Sequence, residues 1–425
     1  MNKLVCLFGL IMLMSCAATK KSDTQSAVYF KQADSLLKQK DYFRARDYVT
    51  AHQAHFSPLH KNVLGAYIDN VFNRAAASNK QIATVLKEYD DALNDSLKMD
   101  MLRIKQLNHV RLYEYTEAHL TINRILENYP ALLTFDDIED YKNTGKLWLM
   151  LSGMPEQTLT QSGTTTLKMN RDKAGLANLA TKSGTNNIDF IFDTGANIST
   201  VTESTAKAFN MSLLGEGIEV GAITGKTVIS KIAVCPEFSI GNITIKNAAF
   251  LVLPDDALAF PQIGYQINGI IGFPVIEAMK EIQITQNDEF IVPKEKTKFT
   301  EQNMALDFLN PVININGEYY TFDSGATNTS LYKKYMAKHA SEIEGTYSLT
   351  ELEFGGAGGS LSKKGYKIVF RPIVAGRQLT INDTDLFTEN VGREENLFYG
   401  NIGQDVINQF TKMTLNFESM FIRFD

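Results

Sequence analysis

The sequence predicts a multidomain chain, an α-helical N-terminal domain followed by an all-β domain with pseudo-two-fold internal symmetry. Three observations predict it. Between residues 28 and 152 helix formers dominate, and Gly65 and Gly145 are the only glycines. From Gly153 onwards the pattern changes to short alternating segments set apart by glycine-bearing turns. Within that second part, one long pattern occurs twice.

The elements follow in chain order. Lys3 and the apolar run over residues 4–14 read as a signal segment, residues 1–15, too short to span a bilayer. Leu13-Met14-Ser15-Cys16 then resembles a bacterial lipobox. The resemblance implies that Cys16 is the lipidation site and that a lipid anchor holds the chain to a membrane of the bacterial cell envelope. Ala17 and Ala18 follow with no aspartate, which by analogy with Gram-negative sorting implies the outer membrane. Residues 16–27, polar and rich in Ser, Thr and Lys, read as a tether.

In the helical stretch, residues 28–152, two passages look like helix-turn-helix repeats of the tetratricopeptide kind. One is Ala33-Asp34-Ser35-Leu36-Leu37 with Asp41-Tyr42-Phe43-Arg44-Ala45-Arg46. The other is residues 104–112 with Tyr115-Thr116-Glu117-Ala118-His119-Leu120, ending Asn128-Tyr129-Pro130. In both, a small alanine falls where the second helix must pack closely on the first. A generic helical domain would show the same pattern, and that alternative stays open. Either form implies a docking surface for a protein partner. His52, His55 and His60 cluster in this stretch without a zincin-type carboxylate pattern, so they read as packing or solvated residues, with no metal and no cofactor expected. Trp148 marks the passage to β structure and reads as packing.

The β part divides into halves at residues 157–295 and 300–425, with the polar stretch 294–303 as the bridge. Strand-like segments 164–169, 175–180 and 187–192 lead into Phe192-Asp193-Thr194-Gly195-Ala196. The second half carries Phe322-Asp323-Ser324-Gly325-Ala326. Gly272 follows Asp193 by 79 residues, and Gly403 follows Asp323 by 80. Each glycine closes a similar string, Asn268-Gly269-Ile270-Ile271-Gly272 and Tyr399-Gly400-Asn401-Ile402-Gly403. A short helix-like stretch and two strand-like stretches follow in both, residues 281–285 and 289–293 matching 412–416 and 420–424. Between aspartate and closing glycine each half holds a glycine-bearing turn, Gly221-Ala222-Ile223-Thr224-Gly225 and Gly355-Gly356-Ala357-Gly358-Gly359, and a later hairpin turn, near Gly241-Asn242 and Gly376-Arg377. One Asp-x-Gly would be ordinary turn chemistry. Two, with the same lead-in and the same downstream pattern, bring two carboxylates together.

Carboxylates held against each other cannot both ionise, and one shared proton makes an acid of one and a base of the other. At these residues the chain resembles the retropepsin-like aspartic proteases, in the duplicated single-chain form seen in bacteria, over about residues 160–425. The resemblance implies a cleft between the halves and an endopeptidase acting on a peptide or protein substrate. It implies Asp193 and Asp323 as the catalytic pair. Thr194 and Ser324 would lock the two turns together, with the N–H groups of Gly195 and Gly325 facing the carboxylates. It implies flaps at Gly221 to Gly225 and Gly355 to Gly359, the first without the tyrosine of pepsin and the second unusually rich in glycine. Ala196 and Ala326 stand where pepsin-like enzymes carry Ser or Thr, so the ionised dyad lacks a donor and activity is expected in weak rather than strong acid.

Other chemistries find little support in the chain. Cys235 alone remains for the mature β domain and sits in an apolar run, where it reads as core. His339 is the only histidine of the β region, so a Ser/His or Cys/His hydrolase is disfavoured. Gly355 to Gly359 is not followed by the Lys-Ser/Thr of a phosphate loop. A net charge of −6 argues against nucleic acid. The competing reading is a catalytically silent binding protein or scaffold on the same fold.

Overall fold

The computed structural model describes residues 24–221, 227–261, 264–356, 359–390 and 397–425. The signal segment, Cys16 and most of the tether lie outside the described residues. The chain divides into two compact units, one ending at Asn108 and one beginning at His109. The helical stretch is therefore shared between them, and its last two helices close with the β structure.

Among the described residues seven α-helices precede the first strand: α1 (24–38), α2 (Tyr42–Ala51), α3 (Pro58–Val71), α4 (Ala75–Glu88), α5 (Asp95–Arg111), α6 (Tyr115–Asn128) and α7 (Phe135–Leu151). Residues 24–27, read as tether, are already helical. One turn geometry recurs three times. Lys40, Asn73 and Tyr113 each take a left-handed φ, at 56°, 57° and 59°. The next N–H then closes back on a carbonyl five residues earlier, Asp41 on Leu36, Arg74 on Asp69 and Glu114 on His109, at 2.9, 2.7 and 2.8 Å. Four residues on stand Ala45, Ser78 and Ala118, all at 0% exposure. The first and third hairpins match the sequence reading. The middle one escaped it because serine replaces the alanine; the Ser78 hydroxyl is accommodated by donating to the Ala66 carbonyl at 2.7 Å. Val63, Ala66, Ile82, Val85 and Met101 form the core of the first unit.

The two β halves share one plan. In the first, strand Asn186–Phe192 runs into Asp193, and Gly269–Ile271 pairs with it in parallel and with Ser199–Thr202 antiparallel. In the second, Glu318–Phe322 runs into Asp323, and Gly400–Ile402 pairs with it in parallel and with Ser330–Leu331 antiparallel. Each half also carries a long hairpin, Ser212–Gly221 with Thr227–Ile240 and Thr350–Gly356 with Gly359–Phe370. The hairpin turns read at Gly241 and Gly376 are present, with φ of 58° and 75°. The sequence reading missed a helix in each half, Glu203–Ala208 and the longer Lys333–Thr346.

A five-stranded sheet joins the halves, in the order Thr165–Lys168, Glu289–Val292, Glu281–Thr285, Lys412–Asn416, Phe421–Phe424. Its central seam pairs Glu281 with Asn416 through to Thr285 with Lys412. The buried Glu281 carboxylate accepts from Thr297 N at 2.8 Å, Thr297 Oγ1 at 2.7 Å, Gln283 Nε2 at 2.9 Å and, across the seam, Asn416 Nδ2 at 2.7 Å. Burial alone would raise its pKa; these donors outweigh burial and hold it below the usual carboxylate range.

Candidate active site

The parallel pairing puts each aspartate just past the end of a central strand. Asp193 N donates to Ile271 O at 3.1 Å and Asp323 N to Ile402 O at 3.0 Å. The closing glycines are held alike, Gly272 N to Ser199 Oγ at 3.0 Å and Gly403 N to Thr329 Oγ1 at 3.1 Å. The residue after each glycine donates back to the alanine of its own turn, Phe273 N to Ala196 O at 2.8 Å and Gln404 N to Ala326 O at 2.9 Å.

The two turns are locked by a reciprocal set of bonds through Thr194 and Ser324. Thr194 Oγ1 donates to Phe322 O at 3.0 Å and accepts from Ser324 N at 2.9 Å. Ser324 Oγ donates to Phe192 O and accepts from Thr194 N, both at 3.0 Å. Both hydroxyls are buried, so four backbone groups that water cannot reach are satisfied by two side chains. Gln404 Nε2 adds a donor to Ser324 O at 2.7 Å, and Arg171 of the first half donates to Gln404 Oε1.

Each aspartate accepts from the glycine two residues on, Gly195 N to Asp193 Oδ1 and Gly325 N to Asp323 Oδ1, both at 2.8 Å. The glycines also make the approach possible. A Cβ on Gly195 would lie 2.7 Å from Asp323 Cγ, and one on Gly325 would run into the Asp193 carboxyl. Each carboxyl thus lies against the glycine of the opposite turn. Burial, then the charge of Asp323 beside it, push the Asp193 carboxyl well above its ordinary range, so one proton is retained by the pair.

The surroundings of the two carboxyls differ. Behind Asp193, Ile191 and Ile270 sit side by side in an apolar cluster with Leu253, Leu258 and Ile267. Behind Asp323 the matching positions are Thr321 and Asn401. Thr321 Oγ1 donates to Asn401 Oδ1 at 2.6 Å, and Asn401 Nδ2 donates to Asp323 Oδ2 at 3.2 Å.

Comparison with known proteins converges on the same strings. The family described as Aspartyl protease matches over residues 179–275, which takes in Asp193, its turn and the closing Gly272. The β-rich region is retropepsin-like over that matched segment. Its second half lies outside the matched segment and repeats the turn lock and the aspartate–glycine bond around Asp323. Among solved structures, a retropepsin-like aspartic protease from Rickettsia conorii is similar at 17% identity, over 32% of this chain and 94% of that one, with a TM-score of 0.22. No curated protein matches.

In this retropepsin-like region the flap positions lie at the ends of the long hairpins. Gly221 ends the first flap strand, paired with Thr227, and Ala222, Ile223, Thr224 and Gly225 lie outside the described residues. Gly355, Gly356 and Gly359 end the paired strands of the second, with Gly356 opposite Gly359, and Ala357 and Gly358 lie outside the described residues. Helix α7 holds the strand Ser212–Gly221 of the first long hairpin, which sequence reasoning missed. Asn143 Nδ2 donates to Glu219 O at 2.8 Å and its Oδ1 accepts from Glu219 N at 2.9 Å, as a neighbouring strand would. Lys146 Nζ donates to Gly217 O at 2.9 Å. Tyr113, in the turn before α6, donates its hydroxyl to Pro274 O at 3.1 Å, just beyond the Gly272 string.

The remaining candidates are structural. Burial pushes the Cys235 thiol up to about 12, which keeps it an unreactive core residue. His52 and His55 lie against Tyr29, and His60 stacks on Phe30. Trp148 is buried and stacks on Tyr115. Among the described residues no helix is long and apolar enough to cross a membrane.

Proposed function

We propose that this chain is an aspartic endopeptidase that hydrolyses peptide bonds in a peptide or protein substrate. The observation that carries the reading is the pair of buried carboxyls, Asp193 and Asp323, each against the glycine of the opposite turn, on two turns locked by Thr194 and Ser324. A dyad holding one proton contains both groups that amide hydrolysis needs. The ionised carboxylate takes a proton from a water between the two, and that water attacks the peptide carbonyl. The protonated carboxyl donates to the carbonyl oxygen as charge develops there, and the proton passes on to the leaving nitrogen. The mechanism needs no covalent intermediate and no metal. A retropepsin-fold binding protein would keep the locked turns but would have no need of two carboxyls at the cost of burying them.

The test is hydrolysis of a mixed protein substrate by the purified chain, with and without inhibitors. A statine-type transition-state mimic should block cleavage; a chelator and serine- or thiol-directed reagents should leave it unchanged. Inhibition by the chelator alone would overturn the reading.

The lipobox string supports a second part of the proposal, that Cys16 carries the lipid anchor and holds the enzyme at the outer membrane of a bacterial envelope, with the helical region open to a protein partner. Cys16→Ser should leave an unprocessed precursor longer by its signal. Normal processing of that variant into a form soluble without detergent would remove the anchor from the account.

A further inference from the structure

The two halves repeat each other closely at the dyad, yet differ at one register pair. Ile191 and Ile270 stand opposite each other in the first half, and Thr321 and Asn401 in the second. We propose that Thr321 and Asn401 decide where the dyad's single proton sits, keeping Asp323 ionised as the general base and leaving Asp193 protonated as the acid. The inference rests on the protease reading for its catalytic meaning, but the placement of the proton can be measured without it.

The argument begins with the amide. An asparagine side chain presents a donor at one end and an acceptor at the other. Thr321 Oγ1 donates to Asn401 Oδ1 at 2.6 Å, so the acceptor end is taken and the Nδ2 end faces Asp323 Oδ2 at 3.2 Å. An N–H donor on a carboxyl oxygen favours the charged form. Asp323 thus has two donors, Gly325 N on Oδ1 and Asn401 Nδ2 on Oδ2. Asp193 has Gly195 N, with a smaller contribution from Ala196 N, and where the amide would stand it has Ile270, packed with Ile191, Leu253, Leu258 and Ile267. An apolar wall disfavours charge, which acts in the same direction as the donor on the other side. The raised proton affinity of Asp193 agrees with this placement.

Charged groups on the elements around the dyad are committed elsewhere. Arg171 is bound to Asp288 and Gln404. Asp405 accepts from Thr329, and Asp172 accepts from Tyr265 and Asn178. The other aspartate is the titrating neighbour of each carboxyl. The two turns differ at Gln404, which donates to Ser324 O where the first half has Phe273, yet that bond touches neither carboxyl. The register pair behind them touches Asp323.

The experiment is a carbon-13 NMR titration of the full chain labelled at the aspartate carboxyl carbons. The two dyad signals are assigned by their loss in Asp193→Asn and Asp323→Asn. Because the groups are coupled, the two steps belong to the pair, and the signal that moves in each step reports where the charge resides. In the wild type the Asp323 carbon should move in the lower step and the Asp193 carbon in the upper. In Asn401→Leu the lower step, in which Asp323 ionises, should rise by about one pH unit, the loss of one charge-assisted hydrogen bond, while the upper step, with Asp323 ionised on both sides of it, should stay close to its wild-type place. Thr321→Val, nearly isosteric and so a gentler change, frees the amide to turn and should raise the lower step less. A purely structural role would lower the melting temperature and leave both steps in place. The proposal is overturned if the Asp193 carbon moves first in the wild type, or if Asn401→Leu and Thr321→Val both fold and neither moves the lower step. The pH profile of kcat/KM should follow the NMR steps in each variant. A wild type that cleaves nothing at any pH would defeat the protease reading alone, and the titration would still decide this one.

Discussion

Thr194 and Ser324 show how much a single side chain carries at the dyad. Each hydroxyl serves two backbone groups of the opposite turn. Thr194→Val keeps the shape and leaves the Phe322 carbonyl and the Ser324 N–H unpaired in a buried site, so it should cost about 2–4 kcal/mol of stability, read by denaturant unfolding. A loss below about 0.5 kcal/mol would show that the turns are held by other contacts. Ala196 and Ala326 act by what they lack. Ala196→Ser combined with Ala326→Thr should supply a donor to the ionised dyad, lower its proton affinity and move the pH profile of kcat/KM towards acid. The sign follows from the dyad itself. Asp193 has a raised proton affinity, so the active singly protonated pair survives to higher pH than an isolated aspartate and is lost as pH rises through the upper step. An unmoved profile, or a shift to higher pH, would remove the alanines as the cause. The aspartates, the hydroxyls and the glycines were legible in the sequence because the geometry demands those residue types. The Thr321–Asn401 pair was not read, because only the parallel register shows that these two residues stand opposite each other.

At the scale of elements, the flap hairpin Ser212–Gly221 with Thr227–Ile240 depends on helix α7. The Asn143 amide pairs both ways with the Glu219 backbone, as the next strand of the sheet would, and so covers an open edge. Asn143→Leu should loosen the flap without touching the dyad. The expected result is a KM raised by about fivefold, near 1 kcal/mol, with kcat little changed. An unchanged KM would mean that the strand holds its place unaided. Strand limits over residues 281–285 and 412–416 were read from the sequence as the structure has them, since alternation of apolar and polar residues is a strong signal. The helix Lys333–Thr346 was not. One residue of it, Ile343, is buried, so the sequence shows little of the apolar stripe that marks an amphipathic helix. The middle helical hairpin was missed for a different reason, its serine being an unfamiliar residue at the close contact.

For the whole molecule, the joining sheet makes one body of the two β halves, and Glu281 is its polar pin. Its proton affinity is lowered by the Thr297, Gln283 and Asn416 donors against the effect of burial. It therefore contributes stability above the unfolded carboxylate range, and that contribution is lost as pH falls through its folded value. Glu281→Gln should lower the unfolding midpoint at neutral pH and converge with the wild type in strong acid. A variant equally destabilised at both would deny the charge its part. The division of labour between helices and sheets was legible from glycine usage alone. The division of the helices between two compact units was not, because composition does not report which helix packs on which neighbour.

All of these features converge on one claim, that Asp193 and Asp323 form a single acid–base unit that cleaves peptides. The measurement that tests it most directly is a peptide-library digest by the purified wild type, Asp193→Asn and Asp323→Asn, with the fold of each checked by thermal unfolding. The account predicts cleavage by the wild type and a loss of at least about a hundredfold in each folded variant, because neither carboxyl can serve as both acid and base. Cleavage retained above about a tenth of the wild-type rate by either variant would contradict it, as would a folded wild type that cleaves nothing in the library at any pH.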